Sequence, residues 1–200
     1  MAAVKKYEIT KNSRDEKIGG RTVTLYQIKA LRSFTIPNNR DISAGDTGGW
    51  IEKESNLSHA KHCWIDYEAI VCGDAVVDED AYVRGTTKVY GRARITDRAK
   101  ITGRAEVYED ATVKDDARVS GRARIHGRAT ISGHAEVSDN VEAYDNATVT
   151  GNAEMSEDSK IYEFATIQDF ATAKGHAQIH GKTVLDRALR ASGNMDMRRE

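Results

Sequence analysis

Several features are scarce in this chain of 200 residues. Only two cysteines occur, Cys63 and Cys72, too few for the disulfide framework that staples small secreted domains. No apolar stretch approaches the roughly 20 residues of a membrane-spanning helix, and no charged-then-apolar leader opens the chain. A cytoplasmic protein without membrane contact is therefore expected. No glycine-rich loop leads into a helix as a phosphate cradle would. The run HAKHC, residues 59–63, gathers metal-ligating types, but its spacing matches no common zinc pattern and no second ligand pair follows it. Neither metal nor cofactor is expected.

What the chain has in abundance is a six-residue period. The stretch GRARIHGRATISGHAEVSDN, residues 121–140, belongs to a run of hexads of the form Ala-x-(Val/Ile)-x-(Gly/Asp/Glu)-x that extends without insertion from Cys63 to Lys182. On a helix, positions six apart are rotated by about 240°, so the Val and Ile would scatter around the axis. In extended backbone, Ala and Val/Ile two residues apart share a face and their neighbours point away. The Gly, Asp or Glu that follows is corner chemistry, because Gly, and less readily Asn and Asp, accepts positive φ. Three corners close a triangular coil of eighteen residues.

Residues eighteen apart then stack, and one interior column reads Ile65, Val83, Ile101, Val119, Val137, Met155, Ala173. At Val141 and Ala143 large and small residues exchange places within one strand, which conserves core volume. About seven such coils are expected. Cys63 fills an Ala slot and should face inward, whereas Cys72 should face outward on another wall, so no disulfide is expected between them.

This frame resembles the hexapeptide repeat of left-handed parallel β-helices, with its Gly one place later than in the acyltransferase version. More specifically, AGDTGGWIEKESNLSHAKHCWI, residues 44–65, leading into the hexads resembles the YdcK-like proteins of bacteria and their phages. The resemblance implies an all-β, left-handed, single-chain β-helix, and imports little about function. Residues 1–56 lack the hexad; alternation in K6–I9 and T22–K29 around the turn-forming K17–G20 reads as a hairpin, with a further turn and strand in GDTGGWIEKE. These residues form an N-terminal β cap over an otherwise open end. The β-helix proper should span 57–185, and 186–200 a C-terminal cap and tail, with TVLDRALRAS in helical turns and GNMDMRRE loose.

Outward positions carry the functional signal. The residue after each interior Val or Ile on one wall reads Cys72, Tyr90, Tyr108, His126, Tyr144, Tyr162, His180. Rings stacked at strand spacing hold coils together, and a contiguous stripe of them is also a contact surface. Another wall aligns Thr112, Thr130, Thr148 and Thr166; such arrays resemble ice-binding surfaces, but Thr is simply a good outward strand residue.

Charge is divided along the rod. Residues 84–128 hold twelve Lys/Arg against six Asp/Glu, and residues 129–170 hold one Lys against nine Asp/Glu, in a chain of net charge -1. The partner-binding candidates are therefore Tyr90, Tyr108, His126, Tyr144 and Tyr162, the basic Arg92, Arg98, Arg104, Arg122 and Arg128, and the acidic Glu136, Glu142, Glu154 and Asp158. Such a division steers complementary surfaces together and suits a homo-oligomer, dimer or trimer, in which antiparallel rods pair basic against acidic. A host protein is the other expected partner. Nucleic acid is not expected, because no groove-reading motif accompanies the arginines.

The sequence thus reads as a non-catalytic binding or scaffold protein of phage or prophage type. Its alternative is an acyl-CoA-dependent acyltransferase, since hexapeptide β-helices include many such enzymes. Those place a catalytic His beside a groove shaped by loops. Here His126, His134, His176 and His180 face outward and no loop leaves the coil, so no catalytic residue is expected.

Overall fold

The computed structural model describes residues 5–37 and 40–200. From residue 64 onward the chain alternates short strands, most of two residues, with turns, as the hexads require. Every sixth residue from Lys61 to Gly193 has positive φ, so each hexad bends once. Each strand pairs in parallel with the strand eighteen residues on, Val89 beside Val107 and Ile95 beside Val113. Backbone bonds link successive coils throughout, as from Lys88 N–H to the Ala105 carbonyl at 3.0 Å. The result is a parallel β-helix of about eight coils whose three sheets count eleven, eight and seven strands, the first extended by two antiparallel strands of the N-terminal segment. No helix long and apolar enough to cross a membrane occurs among the described residues.

The interior is the predicted one. All three Val/Ile columns and nearly all the Ala slots are buried, including the exchanged pair Val141 and Ala143. Small and branched side chains alternate along each strand and stack like on like along the axis, as Val89 on Val107 and Val113 on Ile131.

The N-terminal segment caps the first coil. A long hairpin, β1 (Tyr7–Ile18) and β2 (Arg21–Ala30), turns at Gly19–Gly20, both at positive φ. A small hairpin follows, β3 (Phe34–Ile36) with β4 (Arg40–Ile42), then β5 (Thr47–Ile51). Tyr7, Ile28, Ile36, Ile42 and Trp64 close the end of the interior and join its core. A Cβ at Gly49 would lie 2.5 Å from the Ala69 carbonyl oxygen and 2.6 Å from Ile65 Cγ2. This close approach is why β5 needs glycine immediately before Trp50.

Three expectations change. First, β5 lies before the expected boundary at residue 56, yet it pairs antiparallel with β2 and parallel with Ile70–Val71, so it is already a rung of the helix. Second, residues 183–199 carry strands at Val184–Leu185, Arg190–Ala191 and Asp196–Arg199 in place of helical turns and a loose tail. The frame persists there through Leu185, Ala191 and Met197, six apart, with corners at Arg187 and Gly193; Thr183, Leu189 and Met195 in the Ala slots disguise it. Third, Cys72 does point away from the axis, but the end of the β1–β2 hairpin folds over it, and Ile18, Val23, Leu25, Trp50 and Ile70 pack around it.

Candidate functional site

The ring-bearing wall is built by the strand residues that follow each interior Val or Ile. Parallel pairing in register places Tyr90, Tyr108, His126, Tyr144, Tyr162 and His180 one above another. Successive ring centroids lie 4.7 to 5.2 Å apart with planes within 6° of parallel. The spacing is the separation of neighbouring strands, so coil stacking itself imposes the ring stacking. Each ring hides its faces against its neighbours; Tyr90 through Tyr162 are half-buried with open edges, and His180 is buried. Burial raises the pKa of all four tyrosines, and at Tyr108 the neighbouring Arg124 opposes the rise.

Beside the rings runs a charged column. Arg124 donates to the Tyr108 hydroxyl at 3.0 Å and lies 3.3 Å from the Glu142 carboxylate, while Lys160 binds the other oxygen of Glu142 at 2.9 Å. Burial alone would raise the Glu142 pKa, but the hydrogen bond and charge of Lys160, the charge of Arg124 and the nearby His126 at 3.5 Å hold it below the usual range. At the far end, His180 Nε2 lies 2.6 Å from Asp196 on the last strand.

Among the described residues, the N-terminal end of the wall is covered. The end of the β1–β2 hairpin rests on Trp50, Ile70, Cys72 and the edge of Tyr90. Lys88 pairs with Glu16 at 2.8 Å, and the Arg14 guanidinium lies 4.2 Å from the centre of the Trp50 ring. Burial pushes the Cys72 thiol up to about 11. Where the hairpin ends, a cleft of about 610 Å³ opens between Ile18, Arg21, Glu52, Tyr90, Tyr108 and Glu109. Within it Arg21 and Glu52 neutralise each other through two bonds, at 3.0 and 2.7 Å.

The remaining predicted residues do not converge on this wall. Arg92 and Arg98 occupy two different corners and are each held by two bonds to Asp110 and Asp116 one coil on. Arg128 shares the first of these corners, Arg104 and Arg122 stand on the third, and all three are exposed. Glu136 and Glu154 lie on another wall, near Arg118 and Lys174 respectively. Asp158 accepts a bond from Asn140 at a corner. The acidic coils therefore have more internal partners than their composition suggests. Several corner carboxylates also serve the backbone: Asp139, Asp145 and Asp169 accept the N–H of Glu157, Glu163 and Arg187 in the next coil.

Among the outward histidines, His126 and His180 belong to the ring stack. His134 and His176 are exposed at corners, 3.9 Å from Asp116 and 3.7 Å from Asp158. His134 also lines a cleft of about 410 Å³ with Asp116, Arg118, Glu136, Asn152 and Glu154. In the HAKHC run the ligand types diverge: His59 stacks on Tyr7 and meets Glu54, whereas His62 meets Asp80. No cluster suited to a metal ion occurs among the described residues.

Two features were missed in the sequence. One is the alternation of sign beside the rings, visible as the residue before each interior Val or Ile. The other is a fully buried lysine: Lys6 Nζ donates to the Cys63 carbonyl at 2.8 Å and lies 3.1 Å from Cys63 Sγ. Burial lowers the Lys6 pKa and raises that of Cys63. Cys63 faces inward as expected, but as a hydrogen-bonding partner as well as a filler. No short motif links residues so distant in the chain.

No family model matches the chain. Among curated proteins it is similar to the uncharacterized acetyltransferase YdcK of Escherichia coli (strain K12), with 36% identity over 78 residues. The match covers 36% of this chain and 22% of that protein. Together with the hexads and the coiled architecture, it supports a β-helix of the hexapeptide-repeat kind.

Proposed function

We propose that this chain is a non-catalytic β-helical binding protein that works through protein–protein contacts on its ring-bearing wall. The observation that carries this reading is the uninterrupted stack of six rings, which stays half-exposed from Tyr108 to Tyr162 while the hairpin covers the wall before it. A rigid aromatic stripe loses little side-chain entropy when a partner covers it, and tyrosine is enriched at interfaces for that reason. The resemblance of residues 44–65 to proteins of bacteria and their phages makes a host protein a candidate partner, one that a phage-type product would block.

Capture from a bacterial lysate tests the reading. The wild-type chain is expected to retain specific proteins that a Tyr144→Ser/Tyr162→Ser variant loses. Equal retention by both would overturn it.

A second reading is acyl transfer from acyl-CoA. Two observations favour it, the printed name of the similar E. coli protein and the placement of His134 near Asp116 in an open cleft. Calorimetric titration with acetyl-CoA separates the two. Binding by the wild type that weakens in His134→Ala would replace the contact reading, and the absence of heat would uphold it.

A further inference from the structure

At six corners the carboxylate of one coil accepts the backbone N–H of the corner residue one coil on, at 2.7 to 3.3 Å, as Glu109 does for Gly127 and Asp115 for Gly133. A corner N–H of this fold is thus a place where an oxyanion binds.

The third corner lacks that carboxylate over three successive coils. Its positions are Gly85, Gly103 and Gly121, all at positive φ, and the N–H groups of Gly103, Gly121 and Asp139 meet no acceptor among the described residues. A Cβ on Gly85 or Gly103 would stand 3.1 or 3.0 Å from the next of these nitrogens, so glycine leaves the approach to each one clear.

Each of the last two glycines sits between donors of other kinds. Thr102 and Ser120 precede Gly103 and Gly121, and Arg104 and Arg122 follow them. Neither hydroxyl and neither guanidinium has a hydrogen bond or ion pair among the described residues, and both arginines are exposed. The first corner differs, because there Arg92 beside Gly91 is held by Asp110 and the Gly127 N–H by Glu109. On the wall side of the third corner a cleft of about 200 Å³ is lined by the two hydroxyl residues, by Lys100, and by Arg118 and Glu136, which pair at 2.8 Å.

We propose that the third corner binds an oligophosphate whose charged groups span the Thr102-Gly103-Arg104 and Ser120-Gly121-Arg122 rungs. A phosphate group presents three strongly accepting oxygens, and each rung presents a hydroxyl, a backbone N–H and a guanidinium. Successive backbone N–H groups at turns form anion-binding concavities, and the guanidinium fork matches phosphate geometry. Coils roughly 4.8 Å apart hold the two sets of donors within reach of one short chain. The corner lies off the ring-bearing wall, so this site is independent of the contact made there.

Calorimetric titration at low ionic strength with sodium tripolyphosphate, and separately with ATP, tests it. Both should bind the wild type, more weakly as salt rises; ATP binding tighter than tripolyphosphate identifies a nucleotide source, and otherwise the source is a free chain. Gly103→Asp supplies a carboxylate to the Gly121 N–H, as Asp139 already does for Glu157 in the same column, and should abolish binding. Arg104→Ser/Arg122→Ser changes two exposed residues and should weaken binding at least about tenfold. Arg92→Ser/Arg98→Ser removes the same charge from the other two corners and should leave binding unchanged. Circular dichroism confirms that each variant keeps its strands. Acetyl-CoA also carries phosphate groups, and heat that it gives through this corner would persist in His134→Ala and disappear in Gly103→Asp.

No heat from either ligand, binding undiminished in Gly103→Asp or in Arg104→Ser/Arg122→Ser, or an equal loss in Arg92→Ser/Arg98→Ser would each overturn the inference. Single-stranded DNA that binds more tightly than tripolyphosphate and keeps its affinity in Gly103→Asp would overturn it as well, in favour of nucleic acid.

Discussion

At Gly121 the backbone turns a corner with φ +68°, and a Cβ there would lie 2.5 Å from the Asp139 nitrogen in the next coil. Left-handed backbone costs a side chain roughly 1–2 kcal/mol, and here the neighbouring main chain must also move. Gly121→Ala is therefore expected to lower stability by at least about 1 kcal/mol in urea denaturation; no loss would mean that the coil corner is not set as described. The opposite effect is expected inside the prism. Thr87 occupies an Ala slot, is fully buried, and its hydroxyl has no hydrogen-bond partner. An orphaned polar group costs about 1–3 kcal/mol, so Thr87→Val, which replaces the hydroxyl with a methyl, should stabilise the fold by about 1 kcal/mol. A fall in the urea midpoint would refute that. Both sites are legible from the hexad, Gly121 as a corner and Thr87 as a substitution in the Ala column. The Lys6 to Cys63 contact is not, because it joins a repeat residue to a segment without a repeat.

Each wall is an element, and the walls differ in what holds their rungs together. On the ring wall Tyr144 stacks between His126 and Tyr162 at 5.2 and 5.0 Å. Each aromatic pair contributes about 0.5–1.5 kcal/mol beyond area burial, so Tyr144→Ala should cost about 1–3 kcal/mol. Thr148→Ala on the threonine wall, where the side chain is half-buried and stacks no ring, should cost within about 0.5 kcal/mol. Equal costs by equilibrium denaturation would deny the stack its structural part. The corners respond to acid. Arg92 and Arg98 hold Asp110 and Asp116 below the usual carboxylate range. A carboxyl whose folded pKa is depressed stabilises the fold above its unfolded value, about 3.9, and loses that contribution as pH falls through the folded value. The thermal midpoint should drop below about pH 4, and less steeply in Asp110→Asn/Asp116→Asn; identical acid profiles would contradict this. The column alternation behind these corner pairs was visible in the sequence. That acidic corners such as Asp139, Asp145 and Asp169 also accept backbone N–H groups was not, since the partner N–H lies eighteen residues away in the next coil.

For the whole molecule, the sixfold period alone sets the coil, its columns and its corners, because one local rule repeated without insertion leaves a single way to stack. It failed at both ends, where the rule degrades. Leu189 and Met195 sit in slots where Ala would announce the frame, and the covering of Cys72 depends on how a hairpin bends back over the first coils. The candidate site was legible as a row of rings but not as a wall with a covered head, six rungs and an alternating flank. The rod has a continuous apolar axis, and its distinctive surfaces lie on the outside. Hydroxyl-radical footprinting tests directly which of these surfaces makes contact, since it reads the solvent access of each ring. On addition of the proteins captured from bacterial lysate, Tyr108, Tyr144 and Tyr162 should lose reactivity together while the exposed Phe164 and Phe170 at the corners keep theirs. Protection of the phenylalanines with unchanged tyrosines would place the contact elsewhere and contradict the account.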